Sequence, residues 1–216
     1  MFIQTLFSDP LHFLMVCVVL VFSICLHEYC HAWMAYREGD YGAAEFMTLD
    51  PLRQMGLMSL LMMALIGIAW GAVPVDLSKL RSRWSRIRIS LAGPAANLLL
   101  FLIAGVCVFL ITFVLGKTKP QSGSHLVRVL LNFFFCVGIY NFTLMTFNLI
   151  PAPGLDGWNV LAELYPKMRN ISSEVAKGAM LGLMILAFMG VRFLFIAGGW
   201  LMFQFAVLGN FAAGGA

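Results

Sequence analysis

"GLMSLLMMALIGIAWGA", residues 56–72, decides how this chain is threaded. The stretch is apolar enough to enter a lipid bilayer, yet at about 17 residues it is marginal against the ~20 that a spanning helix needs. Four further apolar regions surround it, at roughly 11–33, 89–115, 126–150 and 175–210. The first three of these are long enough to span. The last has room for one helix and a second, partial or re-entrant piece, with a break expected at Gly198-Gly199.

Working outward, composition fixes the class. Apolar residues make up 61% of the 216 and charged residues 11%, with a mean hydropathy of +0.90, against about 45–50% and about 25% in soluble domains. The expectation is an all-α polytopic membrane protein, a single integral-membrane domain over 1–216 with its core at about 10–165 and a C-terminal helical segment at about 175–212. No polar stretch is long enough for a separate soluble domain, and no Lys or Arg precedes the first apolar run as a cleavable signal peptide would require. The net charge of +4 resides in short loops between apolar segments, where it reports topology rather than nucleic-acid binding. The five cysteines lie in apolar segments without a CxxC pair and read as reduced, structural residues.

Loops 36–55, 76–88 and 163–177 together carry ten Lys or Arg, whereas Lys117, Lys119 and Arg128 make three on the other side. Positive charge marks the cytoplasmic face, so the N-terminus is expected outside, in an inner or plasma membrane.

Charged groups in hydrocarbon cost a few kcal/mol each and need a partner or a task. "LHEYCHAW", residues 26–33, nevertheless puts His27, Glu28 and His31 at the end of the first apolar segment. On a helix, two histidines four apart share one face and can grip one metal ion, which leaves the glutamate placed to activate a water. Zinc brings the pKa of such a water to about 7. Catalytic zinc takes three protein ligands. His12 and His125 fall on the predicted outer side, and Glu38, Asp40, Glu45, Asp50 and Asp76 fall in loops. Asp156, in "FNLIPAPGLDGW" (147–158), directly follows an apolar segment, where Pro151, Pro153 and Gly154 break the helix. Asp-Gly is also an ordinary turn pair, so on its own the position leaves both readings open.

HEYCH at 27–31, Gly93-Pro94-Ala95-Ala96-Asn97 and Asn148 through Pro151 to Leu155-Asp156-Gly157 together resemble the three signatures of the site-2 protease family, the zinc intramembrane metalloproteases. The similarity runs from about residue 10 to about 165 and is nearest to short members without PDZ or CBS domains. The resemblance implies one Zn2+ per chain held by His27, His31 and Asp156, with Glu28 as general base. It also points to Asn97 and Asn148 as polar groups that hold an oxyanion or substrate backbone. The chain departs from the short-member pattern in the loop Asp50 to Gln54, which lacks a histidine, and in "WGAVPVD" (70–76), which lacks a lysine. Those differences bear on the entrance and on which substrates it admits.

A shared metal site constrains topology. His27 lies about 16 residues into its helix, ~24 Å from the outer end at 1.5 Å per residue, and Asp156 must reach the same depth. A full crossing by 56–72 would put Asp156 on the wrong face, so that segment is expected to be re-entrant. The implied substrate is a transmembrane segment of another protein, unwound so that its carbonyls are accessible and held by strand addition, for which loop 36–55 is the natural candidate. A histidine-box oxygenase would need more than four histidines. An inactive scaffold and a metal transporter are the competing readings.

Overall fold

The structure is a computed structural model and describes residues 2–118, 125–165 and 173–214. Lys119, Lys167 and Arg169, three of the charges behind the topology expectation, lie outside the described residues.

A short α1 (Gln4–Ser8) leads into α2 (Pro10–Arg37). Asp9 caps α2 by accepting the His12 backbone N–H at 3.0 Å, and Pro10 occupies the first turn, where its missing N–H costs nothing. Beyond α2 the chain turns at Gly39, whose φ of 116° suits only glycine, because a Cβ there would also press on the Lys79 carbonyl. A 3₁₀ turn (Tyr41–Phe46) and α3 (Pro51–Gln54) follow. Loop 36–55, expected to offer a strand edge, is therefore helical over much of its length. The cause is local: Asp40 and Asp50 cap these turns through the N–H groups of Gly42 and Leu52, and Pro51 pre-sets the second.

Then comes α4 (Gly56–Ile66), 11 residues long and about 16 Å in extent, roughly half the hydrocarbon thickness. Gly67, at φ 81°, ends it in the left-handed conformation and reverses the chain. The returning run lies antiparallel to the helix. Ser59 Oγ donates to the Trp70 carbonyl at 2.6 Å and accepts the Trp70 N–H at 2.8 Å, and the Ala72 N–H donates to the Gln54 carbonyl at 3.2 Å. The chain so returns to the level at which it entered, the hairpin expected for 56–72. Met55, Met63 and Leu60 pack it against Val16, Leu20 and Ile24 of α2.

α5 (Arg83–Thr118), 36 residues long, runs back past the end of α2. α6 (His125–Asn148) returns, α7 (Asp156–Leu164) lies across the end of the bundle against α5, and α8 (Ser173–Ala212) packs on α5 and α6. Among the described residues, four helices are long and apolar enough to cross a membrane: Pro10–Arg37, Trp84–Thr118, His125–Asn148 and Met189–Ala212. Unlike the expected break at Gly198-Gly199, α8 is one uninterrupted helix of 40 residues. At Gly198 α8 instead passes close to α6, where a Cβ would meet the Phe142 ring at 3.2 Å and the Ile139 backbone at 3.4 Å. Small residues at helix contacts permit such close passage in membranes.

Candidate metal centre

The end of α2 carries His27, Glu28 and His31, all buried, and the helical period sets the two imidazoles on one face with ring centroids 4.6 Å apart. The start of α5 approaches that face because Gly93 has no side chain. A Cβ at Gly93 would collide with Nε2 of both His27 and His31. Pro94, which follows, offers no N–H to the Ser90 carbonyl one turn earlier, and Ser90 lines the cavity.

Asp156 arrives from the third direction. α6 ends at Asn148, the Pro-rich link folds back on itself, and Asp156 opens α7. Gly157 permits the close fold, because a Cβ there would strike the Leu149 carbonyl. Farther along, Arg86 of α5 clamps α7: its Nη2 donates to Asn159 Oδ1 at 2.8 Å, and its Nη1 stands 3.5 Å from Glu163 Oε1.

His27 Nε2, His31 Nε2 and Asp156 Oδ2 thereby converge, at 2.9 Å between the imidazoles and 3.1 and 3.3 Å from each to the carboxylate. The hydrogen bonds behind the rings fix what these atoms are. His31 Nδ1–H donates to the Ile89 carbonyl at 2.7 Å, and His27 Nδ1–H donates to Asn97 Oδ1. With the proton on Nδ1, each Nε2 presents a lone pair. Three acceptors then face one another in a buried place. A proton can satisfy one pair of them; a divalent cation satisfies all three. Ligand atoms 2.0–2.2 Å from a tetrahedral ion stand about 3.3–3.6 Å apart, so these three need to spread by only a few tenths of an ångström, and two imidazoles with one carboxylate form a known zinc donor set. The residues fit the metal.

A cavity of about 220 Å³ opens beside the cluster, its wall including His27, Glu28, His31, Gly71, Asn148 and Asp156. Gly71, on the returning limb of the hairpin, lies directly against Glu28: a Cβ there would be 2.7 Å from Oε1. Of the other anticipated residues, Asn148 reaches the cavity and donates through Nδ2 to the Leu144 carbonyl at 3.0 Å. Asn97 is completely buried, with its oxygen on His27 and its Nδ2 donating to Asn141 Oδ1 at 2.8 Å.

Sequence reasoning passed over Asn141, Ser23, Arg86 and Gly71. Two left a signal in spacing. Ser23 precedes His27 by four positions and Asn141 precedes Asn148 by seven, so each shares a helix face with a residue already singled out.

Residues 15–191 match the sequence profile of peptidase family M50. The chain belongs to that family. Among curated proteins, it is similar to Rip2 of Mycolicibacterium smegmatis, 34% identical over 158 residues that are 69% of this chain and 56% of that one. It is 30% identical to YwhC of Bacillus subtilis over 155 residues, 69% of this chain and 68% of YwhC. Against Rip2 of Mycobacterium tuberculosis (H37Rv) it is 30% identical over 183 residues, 81% of this chain and 66% of the relative. All three carry the provisional name of zinc metalloprotease. This M50 chain thus spans little more than half the length of the Mycolicibacterium relative. No solved structure matches it. Its relatives are named for zinc metalloprotease activity, and zinc is a metal that the His27, His31 and Asp156 set fits.

Proposed function

We propose that this M50 member is an intramembrane endopeptidase, cutting a peptide bond in or beside a transmembrane segment of another membrane protein as a step of regulated proteolysis. The observation that carries the reading is the position of His27, Glu28 and His31 on a helix apolar enough to lie in a bilayer, with Asp156 of α7 closing the cluster. His27, His31 and Asp156 hold the ion. Zinc supplies a Lewis acid that polarises a carbonyl and makes water acidic enough to act as a nucleophile near neutral pH. Glu28, on the cavity wall, takes the proton of the attacking water on a carboxylate oxygen and passes it to the leaving amide nitrogen. Asn148, also on that wall, is placed to meet the substrate backbone, whereas Asn97 orients His27.

An unwound substrate would lie along residues 71–75, the non-helical run whose Gly71, Ala72, Val73 and Val75 line the cavity. Gly71 keeps the path to Glu28 free of a side chain. The basic loops support a cytoplasmic placement of this end of the bundle and an N-terminus outside.

The test is cleavage of a single-pass membrane protein by the purified chain in detergent, with Glu28→Gln and a zinc chelator as comparisons. Loss of cleavage in both, with one equivalent of metal still bound by Glu28→Gln, is the expected result. Cleavage that survives Glu28→Gln, or a wild-type chain that takes up no zinc, would leave a scaffold or transporter as the better account.

A further inference from the structure

We propose that Asn141, together with Ser23, is a positioning residue that fixes which nitrogen of His27 faces the metal, acting through Asn97 without touching the cavity; this rests on reading the cluster as a metal centre. A primary amide buried at membrane depth costs several kcal/mol unless its groups are satisfied. Asn141 is fully buried, stands in α6 away from the cavity wall, and has both sides of its amide engaged. Its Nδ2 donates to the Val137 carbonyl at 2.8 Å and to Ser23 Oγ at 2.9 Å, and its Oδ1 accepts from Asn97 Nδ2 at 2.8 Å.

The direction of this chain follows from its far end. The Val137 carbonyl can only accept, so Asn141 turned over would set oxygen against oxygen. Asn141 must therefore present its oxygen to Asn97, and Asn97 must answer with its NH2. That leaves the Asn97 oxygen for His27. An amide oxygen can only accept, so the proton of His27 stays on Nδ1 and the lone pair on Nε2. A backbone carbonyl of α6 thus sets the tautomer of a side chain on α2 through two amides. His31 is wired differently: the Ile89 carbonyl holds its Nδ1–H directly. The two ligands of one ion should respond differently to the same substitution.

The experiment uses metal-free chain labelled with ¹⁵N-histidine, in detergent at a pH alkaline enough for neutral imidazoles. Ring-nitrogen shifts distinguish protonated from unprotonated nitrogen, and four histidines keep the spectrum readable. Wild type is expected to show Nδ1–H at both His27 and His31. Asn141→Leu removes the lock, and Asn141→Ser is the gentler variant, too short to reach Asn97 yet able to bond within its own helix. Either is expected to give His27 a mixture of tautomers while His31 stays as it was. Zinc affinity, read by competition with a chromophoric chelator, is expected to fall about 10–100-fold, as for other groups that orient metal ligands. A His27 that keeps its tautomer, with zinc affinity within about two-fold of wild type, overturns the proposal. So does an equal change at both histidines, which would mark general loosening. Failure of the metal-centre reading shows separately, as wild-type chain that binds no zinc.

Discussion

α5 is held to its neighbours by different means along its length. Toward the metal centre, the contacts are hydrogen bonds between named polar atoms: His27 to Asn97, Asn97 to Asn141, Asn141 to Ser23. Farther along, Phe101, Ala104, Val108 and Met202 form an apolar cluster with Phe205. Lipid is as apolar as these side chains, so no hydrophobic term favours the second arrangement, and close packing must supply the attraction. Glycines make that approach possible: a Cβ at Gly209 would strike the Phe109 carbonyl, and one at Gly138 would strike Met202. In one half hydrogen-bond direction specifies which side chains meet, and in the other shape does.

That contrast predicts how each half fails. The largest effect belongs to Glu28→Gln, expected to lower peptide cleavage by about 10²–10⁴-fold, the range for a removed general base, while zinc content stays at wild type. An active Glu28→Gln chain would empty the polar half of its chemical role. Next, Gly93→Ala puts a methyl group against both imidazole Nε2 atoms. Zinc affinity should fall at least ~10–100-fold, measured by chelator competition, with helical content unchanged. Gly209→Ala should do the opposite. The Phe109 backbone in its path cannot move aside, so overpacking is expected to cost about 1–3 kcal/mol of stability, read by thermal unfolding in detergent, with zinc affinity retained. If both glycine variants lose metal and stability together, the two halves are one cooperative unit and the distinction collapses.

The smallest effect lies outside the membrane segments. Glu38, just past α2, accepts hydrogen bonds from Ser85 Oγ at 2.5 Å and Arg88 Nη1 at 2.8 Å. The Ser85 hydroxyl first and Arg88 second hold its carboxyl below the usual carboxylate range, despite some opposing desolvation. A depressed folded value contributes stability above the ordinary carboxylate pKa, lost as the pH falls through the folded one. Glu38→Gln should therefore be less stable than wild type near neutral pH, by about 0.5–1 kcal/mol given the half-exposed arginine. The gap should close in acid, and thermal unfolding at several pH values would check it.

Much of this was legible in the sequence. Length alone marked 56–72 as unable to cross comfortably, and the need to bring Asp156 level with His27 required the hairpin that Ser59 and Trp70 close. The histidine spacing and the Asp-Gly after a broken helix located the three acceptors. What could not be read was anything dependent on a neighbour's distance. Gly198 reads as a helix breaker until Ile139 is seen beside it, and a glycine in an apolar run does not say whether it bends a helix or admits another. The caps at Asp40 and Asp50 are local and readable in Asp-x-Gly and Asp-Pro, and they turn loop 36–55 into helical turns where a strand edge is expected. Asn141 went unnoticed because a lone amide in an apolar helix names no partner.

His27 and Asp156 lie 129 positions apart, on opposite sides of the hairpin and two long helices. An ion between them is a cross-link as well as a cofactor. In the chain-entropy model, tying a loop of that order removes ~4–5 kcal/mol of freedom from the unfolded state, and a site absent from the unfolded chain lends its binding free energy to folding. A metal-loaded chain would thus be stapled at the His27, His31 and Asp156 cluster, and stripping the metal would leave α7 to the Arg86 clamp and its packing on α5.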